Sequence, residues 1–261
     1  MQNLQYYKNM KGKYLSERVA IVTGASKGIG KEIALTFAEL GAKLVITCKE
    51  NTKLLEQAAD EIKELGNEVY CFVGDLSKNS EADRLIDKTK DHFGKLDILI
   101  NNAGITDPRG FETISEDNWD RMINMNLKSV YNCTYYAIPL LKNSGRGRII
   151  NVSSVCGKSG GIGAGAHYCA VKAGLIGFSK SLANQYAEYG ITVNAIAPAM
   201  INTEMISWRS EELMQEHVNL IPLKRIGQCN EVADAVAFLS SDYASFITGY
   251  TMDINGGLYM D

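Results

Sequence analysis

Histidine is scarce in this chain. His92, His167 and His217 are the only three among 261 residues, and no two stand four apart. A helical pair of imidazole ligands is therefore not expected, and neither is a metal. Cysteine is used six times, at positions 48, 71, 133, 156, 169 and 229. No two have the tight spacing of a zinc or dithiol motif. Several lie in apolar runs, where a free thiol acts as a small hydrophobe. No apolar run is long enough to span a bilayer. Net charge is only −3, so no basic excess points to nucleic acid or to a membrane surface. There is no internal repeat, no low-complexity tract and no linker to a second domain. Residues Met1 to Ser16 are polar, with Lys8, Lys11 and Lys13, and lack the apolar centre of a signal peptide. The cytosol is the expected compartment.

What is present suits one α/β domain. The length is typical of one, and hydrophobic residues make up 46% of the chain, an ordinary share for a globular protein. Short β-branched runs alternate with helical patterns. Strands are expected at 18–23, 43–47, 68–73, 96–100, 149–152, 191–197 and 250–254. Helices are expected at 31–40, 52–65, 79–93, 115–141, 167–189, 211–218 and 230–240. This alternation predicts a doubly wound parallel sheet of the Rossmann type, with helices on both faces. Residues 1–16 read as an extension and 17–261 as the domain, with 199–226 lying over the substrate. In the extension, Tyr6, Tyr7 and Tyr14 are free to pack on the body or on a neighbouring subunit.

Three stretches carry chemistry. The first is Gly24-Ala-Ser26-Lys27-Gly28-Ile29-Gly30, between a strand and a helix. Glycines let the backbone approach a pyrophosphate, and the helix N-terminus offers free N–H groups. The spacing is Gly-x-x-x-Gly-x-Gly rather than the commoner Gly-x-Gly-x-x-Gly. The second is the set of polar strand ends at Asp75-Leu76, Asn101-Asn102-Ala103-Gly104 and Pro198 to Thr203. In such sheets ligands bind beyond the carboxyl ends of the strands. The third is the run from Arg148 to Gly174. A strand ends in Ser153-Ser154, a flexible stretch with five glycines follows, and a helix opens with Tyr168 and Lys172. Residues four apart share a helix face. An ammonium beside a phenol is expected to lower its pKa, and a serine hydroxyl is placed to hold a substrate oxygen. Such a site would transfer a proton to a ketone or from an alcohol.

Taken in order, these residues resemble the short-chain dehydrogenase/reductase family over nearly the whole chain after residue 16. Thr23 to Gly30 is similar to the family's cofactor loop, and Asn101 to Gly104 to its strand-four motif. Asn126, Ser154, Tyr168 and Lys172 are similar to its catalytic tetrad. Pro198, Ile201 and Thr203 resemble the segment that meets the nicotinamide. The resemblance implies a seven-stranded sheet and usually a tetramer. It implies that Tyr168 moves the proton and that Lys172 lowers its pKa and binds the nicotinamide ribose. Ser154 would hold the substrate oxygen, with Ser153 as its rival, and Asn126 would hold a water that relays protons to Lys172. It further implies a ketone and a secondary alcohol as substrate and product.

Within the family the look is that of bacterial 3-oxoacyl-[acyl-carrier-protein] reductases, through Ala173 to Leu182 and Thr248 to Gly257. Ala199 stands where glycine is usual. Gly145 and Tyr189 stand where those reductases carry basic residues that dock the acidic carrier protein. Arg146 follows the first, and nothing basic adjoins the second. A free small molecule, a sugar, polyol or steroid, is thus a second substrate class. A catalytically silent nucleotide-binding protein of this fold and a sugar-nucleotide epimerase are the other classes considered. The complete tetrad speaks against the former, and the lack of a separate substrate domain against the latter. An apolar lid is expected from Met200, Met205, Ile206, Trp208, Met214, Leu220 and Ile221.

NADP(H) is the expected cofactor, with NAD(H) the alternative. By resemblance, the position at which NAD-dependent members carry Asp is Cys48, and Lys49 follows it. Lys27 precedes Gly28 where NADP-dependent members carry a basic residue. Ser26, Lys27 and Lys49 are expected to converge on a 2′-phosphate through charge-assisted bonds.

Overall fold

The computed structural model describes residues 12–161, 164–206 and 210–261. Seven strands form one parallel sheet: β1 (Val19–Val22), β2 (Lys43–Cys48), β3 (Val69–Val73), β4 (Ile98–Asn101), β5 (Arg148–Val152), β6 (Thr192–Pro198) and β7 (Thr251–Ile254). Their order is β3-β2-β1-β4-β5-β6-β7. Every pairing is parallel, which bears out the doubly wound reading. Strands buried on both faces read as continuous apolar runs, and the four residues of β1 are all buried.

The helices are α1 (Gly28–Glu39), α2 (Thr52–Glu64), α3 (Asn79–Phe93), α4 (Glu116–Ile123), α5 (Ser129–Ser144), α6 (Cys156–Ser159), α7 (Ala166–Tyr186), α8 (Glu211–Leu220) and α9 (Cys229–Ser240). They cover both faces and bury two apolar clusters. One centres on Ile33, Phe37, Leu44, Ile150 and Val236. The other centres on Val45, Leu85, Leu99, Ile149 and Val193. The order reverses between β1 and β4, so the crevice above their carboxyl ends is the switch point at which such sheets bind ligands.

Three elements differ from the sequence expectation. The single helix expected over 115–141 is broken by a π-turn, Asn124–Lys128, between α4 and α5. Such a turn inserts one extra residue per turn and recurs at functional sites. The glycine-rich stretch after Ser154 is not flexible throughout, because Cys156–Ser159 forms a helical turn. α1 begins at Gly28 rather than at Lys31, so the last two glycines of the loop belong to the helix's first turn.

Before β1, Leu15 is fully buried and its N–H donates to the Leu40 carbonyl at 3.1 Å. Tyr14 packs edge-to-face on Tyr243, with centroids 5.7 Å apart. Tyr6 and Tyr7 lie outside the described residues. Among the described residues no helix is long and apolar enough to cross a membrane, and none of their acidic, Cys or His side chains gather as a metal site.

Candidate active site

The first wall of the site is the turn after β1. Gly24 has φ +66°, a conformation that favours glycine. A Cβ there would lie 2.8 Å from the Ala103 Cα. A Cβ on Gly30 would strike the Gly24 carbonyl and the Asn102 amide. Lys27, at the N-cap of α1, makes no side-chain cap bond. The opening turn of the helix therefore keeps backbone donors for an anion. The Thr23 hydroxyl accepts from the N–H groups of Asn102 and Ala103, both at 3.0 Å. The Asn102 amide donates back to the carbonyls of Thr23 and Gly24, at 2.9 and 3.1 Å. Asn102 thus braces the glycine turn against the end of β4. Thr23's part in this staple was not visible as a site signal in the sequence.

The second wall carries the proton chemistry. Asn126 lies within the π-turn and is buried. Its Oδ1 accepts from the Ile105 N–H at 3.1 Å, and its amide donates to the Met122 carbonyl at 3.1 Å. A Cβ on Gly104 would collide with the Asn126 oxygen, so only glycine admits this approach. Ser154 and Ser153 divide as the alternation of a strand requires. The Ser153 hydroxyl donates to the Lys172 carbonyl at 2.7 Å and holds α7 to the sheet. The Ser154 hydroxyl accepts from the Cys156 N–H at 3.1 Å and lines the same cavity as Tyr168.

Electrostatics around Tyr168 differ from the expected depression. Burial pushes the phenol well above its ordinary value, the nearby Cys156 adds to the rise, and the Ser154 side chain opposes it. Lys172 is 5% exposed, and burial lowers its ammonium to about 8. That ammonium donates to the Val152 carbonyl at 2.8 Å and stands 5.6 Å from the centre of the Tyr168 ring. Desolvation of both groups outweighs their mutual field.

Together these walls enclose a cavity of about 360 Å³, within the usual range for small-molecule sites. Ile29, Asn102, Gly104, Asn126, Ser154, Tyr168, Lys172, Pro198, Ile201 and Thr203 all line it. Of the expected lid, Met200, Ile206, Leu220 and Ile221 line it too. Trp208 and the Met205 side chain lie outside the described residues. The base of the lid is pinned, because Ile201 bridges Gly227 in parallel and the Gly227 N–H donates to the Met200 carbonyl at 3.0 Å. Ile105, Cys156, Ala164 and Leu258 also line the cavity. They come from four separate segments, and nothing in their sequence marks them as a group.

The lysines expected to recognise a 2′-phosphate are each paired with carboxylates. Lys27 pairs with Glu204 at 2.9 Å. Lys49 pairs with Asp75 at 3.1 Å and Glu50 at 3.9 Å. The Asp75 carboxylate also accepts from the hydroxyl and N–H of Ser77, at 2.6 and 3.1 Å. Leu76 is buried in the core, and its carbonyl accepts from Asn132 at 3.0 Å. Cys48 is buried at the end of β2, and burial raises its thiol.

A phosphate cradle at the switch point, opening into a cavity with a Tyr–Lys–Ser set, defines a dinucleotide-binding oxidoreductase. Residues 24–259 match the family profile described as enoyl-(acyl carrier protein) reductase. The chain belongs to the short-chain dehydrogenase/reductase family and is an NAD(P)-dependent oxidoreductase. It is 43% identical over 241 residues to a 3-oxoacyl-[acyl-carrier-protein] reductase, FabG, of Staphylococcus aureus, covering 92% of this chain and 98% of that one. A solved 3-oxoacyl-[acyl-carrier protein] reductase from Brucella melitensis superposes with TM-score 0.92 at 35% identity, over 97% of this chain and 96% of that one. A second such structure from Brucella melitensis, with bound NAD, gives TM-score 0.90 at 34% identity and the same coverages.

Proposed function

We propose that this enzyme reduces the 3-keto group of an acyl thioester to a secondary alcohol, with NADPH preferred over NADH. The observation that carries the reading is the placing of Ser154, Tyr168 and Lys172 together on the wall of a cavity that opens to the glycine turn at Ile29. When bound, the nicotinamide supplies the hydride. The protein supplies the proton and the geometry. Burial keeps the Tyr168 phenol protonated at neutral pH, so it can give its proton to the carbonyl oxygen. Ser154 is placed to hold that oxygen. Lys172 presents a buried cation to the same cavity and would hold the nicotinamide ribose. Asn126 shapes the floor and is the expected holder of a relay water. Met200, Ile206, Leu220 and Ile221 offer apolar cover for an acyl chain.

The thioester reading rests on the named relatives and on one further feature. The Lys142 ammonium lies 3.6 Å from the centre of the Tyr189 ring. A cation thus stands at the position that the sequence seemed to leave neutral, and Arg146 stands beside Gly145. These groups suit an acidic carrier. NADPH preference rests on Lys27 and Lys49. Their present partners are exposed carboxylates or, for Asp75, a partly exposed one. Exposed pairs are worth roughly 0–1 kcal/mol, so a phosphate dianion can displace them. A tetramer is supported by Tyr131 and Tyr135 on α5 and by Phe246 and Tyr250 before β7, all exposed. Six free cysteines suit a reducing cytosol.

The test is NADPH oxidation with 3-oxoacyl thioesters on a carrier protein and on a short pantetheine mimic, against free ketones, sugars and steroids. Highest kcat/KM on the thioesters is expected. Turnover of a free ketone or sugar with none on any thioester would replace this reading with the small-molecule one.

A further inference from the structure

Two thiols flank one turn beside the cavity. Cys156 opens α6 and lines the cavity wall. Cys169 sits in the first turn of α7, directly after Tyr168. The Cys169 thiol donates to the Gly160 carbonyl at 2.9 Å, which sets it against the same turn that Cys156 packs on. Both cysteines are partly exposed and free. The segment between them carries five glycines, and Gly161 has φ +72° with Cys156 Sγ 3.0 Å from where its Cβ would be.

We propose that Cys156 and Cys169 are a reversible disulfide pair, a covalent modification site that turns the enzyme off under peroxide. Cys156 faces the cavity, and its thiol takes the first step. Its sulfur attacks one peroxide oxygen, the O–O bond breaks, and a water leaves, so Cys156 becomes a sulfenic acid. The Cys169 sulfur then attacks the Cys156 sulfur. The S–S bond forms, the S–O bond breaks, and a second water leaves. Two thiols and one hydrogen peroxide give one disulfide and two waters. Burial and the adjacent Cys156 push the Cys169 thiol up, which suits it to the resolving step rather than to the first attack.

The link would reach catalysis from both sides. The Cys156 N–H orients the Ser154 hydroxyl at 3.1 Å, and Cys169 adjoins Tyr168 in sequence. Drawing the two sulfurs to bonding distance would shift α6 against the start of α7, where Tyr168 stands. Disulfides in reducing compartments are mostly transient or sensing, which suits a pair placed beside a reacting centre.

The experiment treats the full-length enzyme with hydrogen peroxide, then with dithiothreitol. Peptides are mapped by mass spectrometry without reduction, and activity is read in parallel. The expected result is a 156–169 cross-link that forms as most activity is lost, with both changes reversed by dithiothreitol. Cys169→Ser should keep the untreated activity and give no cross-link. It should hold a dimedone-reactive sulfenic acid at Cys156. Cross-links that join other cysteines, a 156–169 link that leaves activity intact, or a Cys156 that stays reduced while activity falls would each overturn the proposal. The cross-link is read by mass, so it is decided whichever substrate the enzyme proves to use.

Discussion

The Lys172 ammonium donates to the carbonyl of Val152, the last residue of β5, at 2.8 Å, rather than to the Tyr168 phenol. Its charge is thus held at the strand end, inside the cavity wall, where burial makes it easy to lose. With the group lowered to about 8, the ammonium persists below that pH and is lost above it. The kcat/KM for ketone reduction reports groups of the free enzyme. It should be level near neutrality and fall as pH rises through about 8. A profile that stays level well above this value would show that Lys172 keeps its proton or is not required.

The glycine turn gives a second prediction. In Gly30→Ala the new methyl meets the Gly24 carbonyl and the Asn102 amide, neither of which is the free end of a flexible chain. Cofactor affinity should fall at least about tenfold, since a 1.4 kcal/mol displacement already costs that much. Fluorescence titration with NADPH measures it. Unchanged affinity would mean that this turn does not carry the phosphates.

A polar ladder inside the sheet gives the third. The Asn101 amide donates to Asn151 Oδ1 at 2.8 Å and to the Thr134 hydroxyl at 3.2 Å. The Asn151 amide donates to the Ser179 hydroxyl at 2.8 Å. All four are buried, and the ladder joins β4 and β5 to α5 and α7. Asn151→Ala takes one hydrogen bond from the Asn101 amide and one from the Ser179 hydroxyl, and each such bond contributes about 0.5–1.5 kcal/mol. Urea unfolding should show a loss of that order, and an unchanged midpoint would refute the role.

Cofactor choice gives the fourth. Lys27→Ala and Lys49→Ala should each lower the NADPH-to-NADH ratio of kcat/KM. Charge-assisted bonds of about 1.5–3 kcal/mol correspond to tenfold or more. A ratio untouched by either change would place the phosphate on other groups. NADH equal to NADPH in the unmodified enzyme would overturn the preference itself.

Much of this architecture was legible in the chain. β1, β4 and β5 are buried on both faces, so Val19–Val22, Ile98–Ile100 and Ile149–Ile150 stand out as apolar runs. The residues from Tyr168 to Lys172 announce themselves through helical spacing. Other features needed three dimensions. The π-turn at Asn126 is a backbone register change, and its side chains fit an α-helix equally well. The Lys49–Asp75 pair spans 26 positions and follows from the β2–β3 register, which sets Cys48 beside Val73. The rise at Tyr168 depends on how deeply the phenol is enclosed, which spacing alone does not reveal.

The most direct test of the account is turnover of Tyr168→Phe on the best 3-oxoacyl thioester, with cofactor binding measured alongside. The substitution removes the proton donor and keeps the ring. The account predicts a fall of about 10²–10⁴-fold in kcat, the usual share of a general acid, with NADPH affinity little changed. Near-normal turnover would contradict the central claim that Tyr168 delivers the proton.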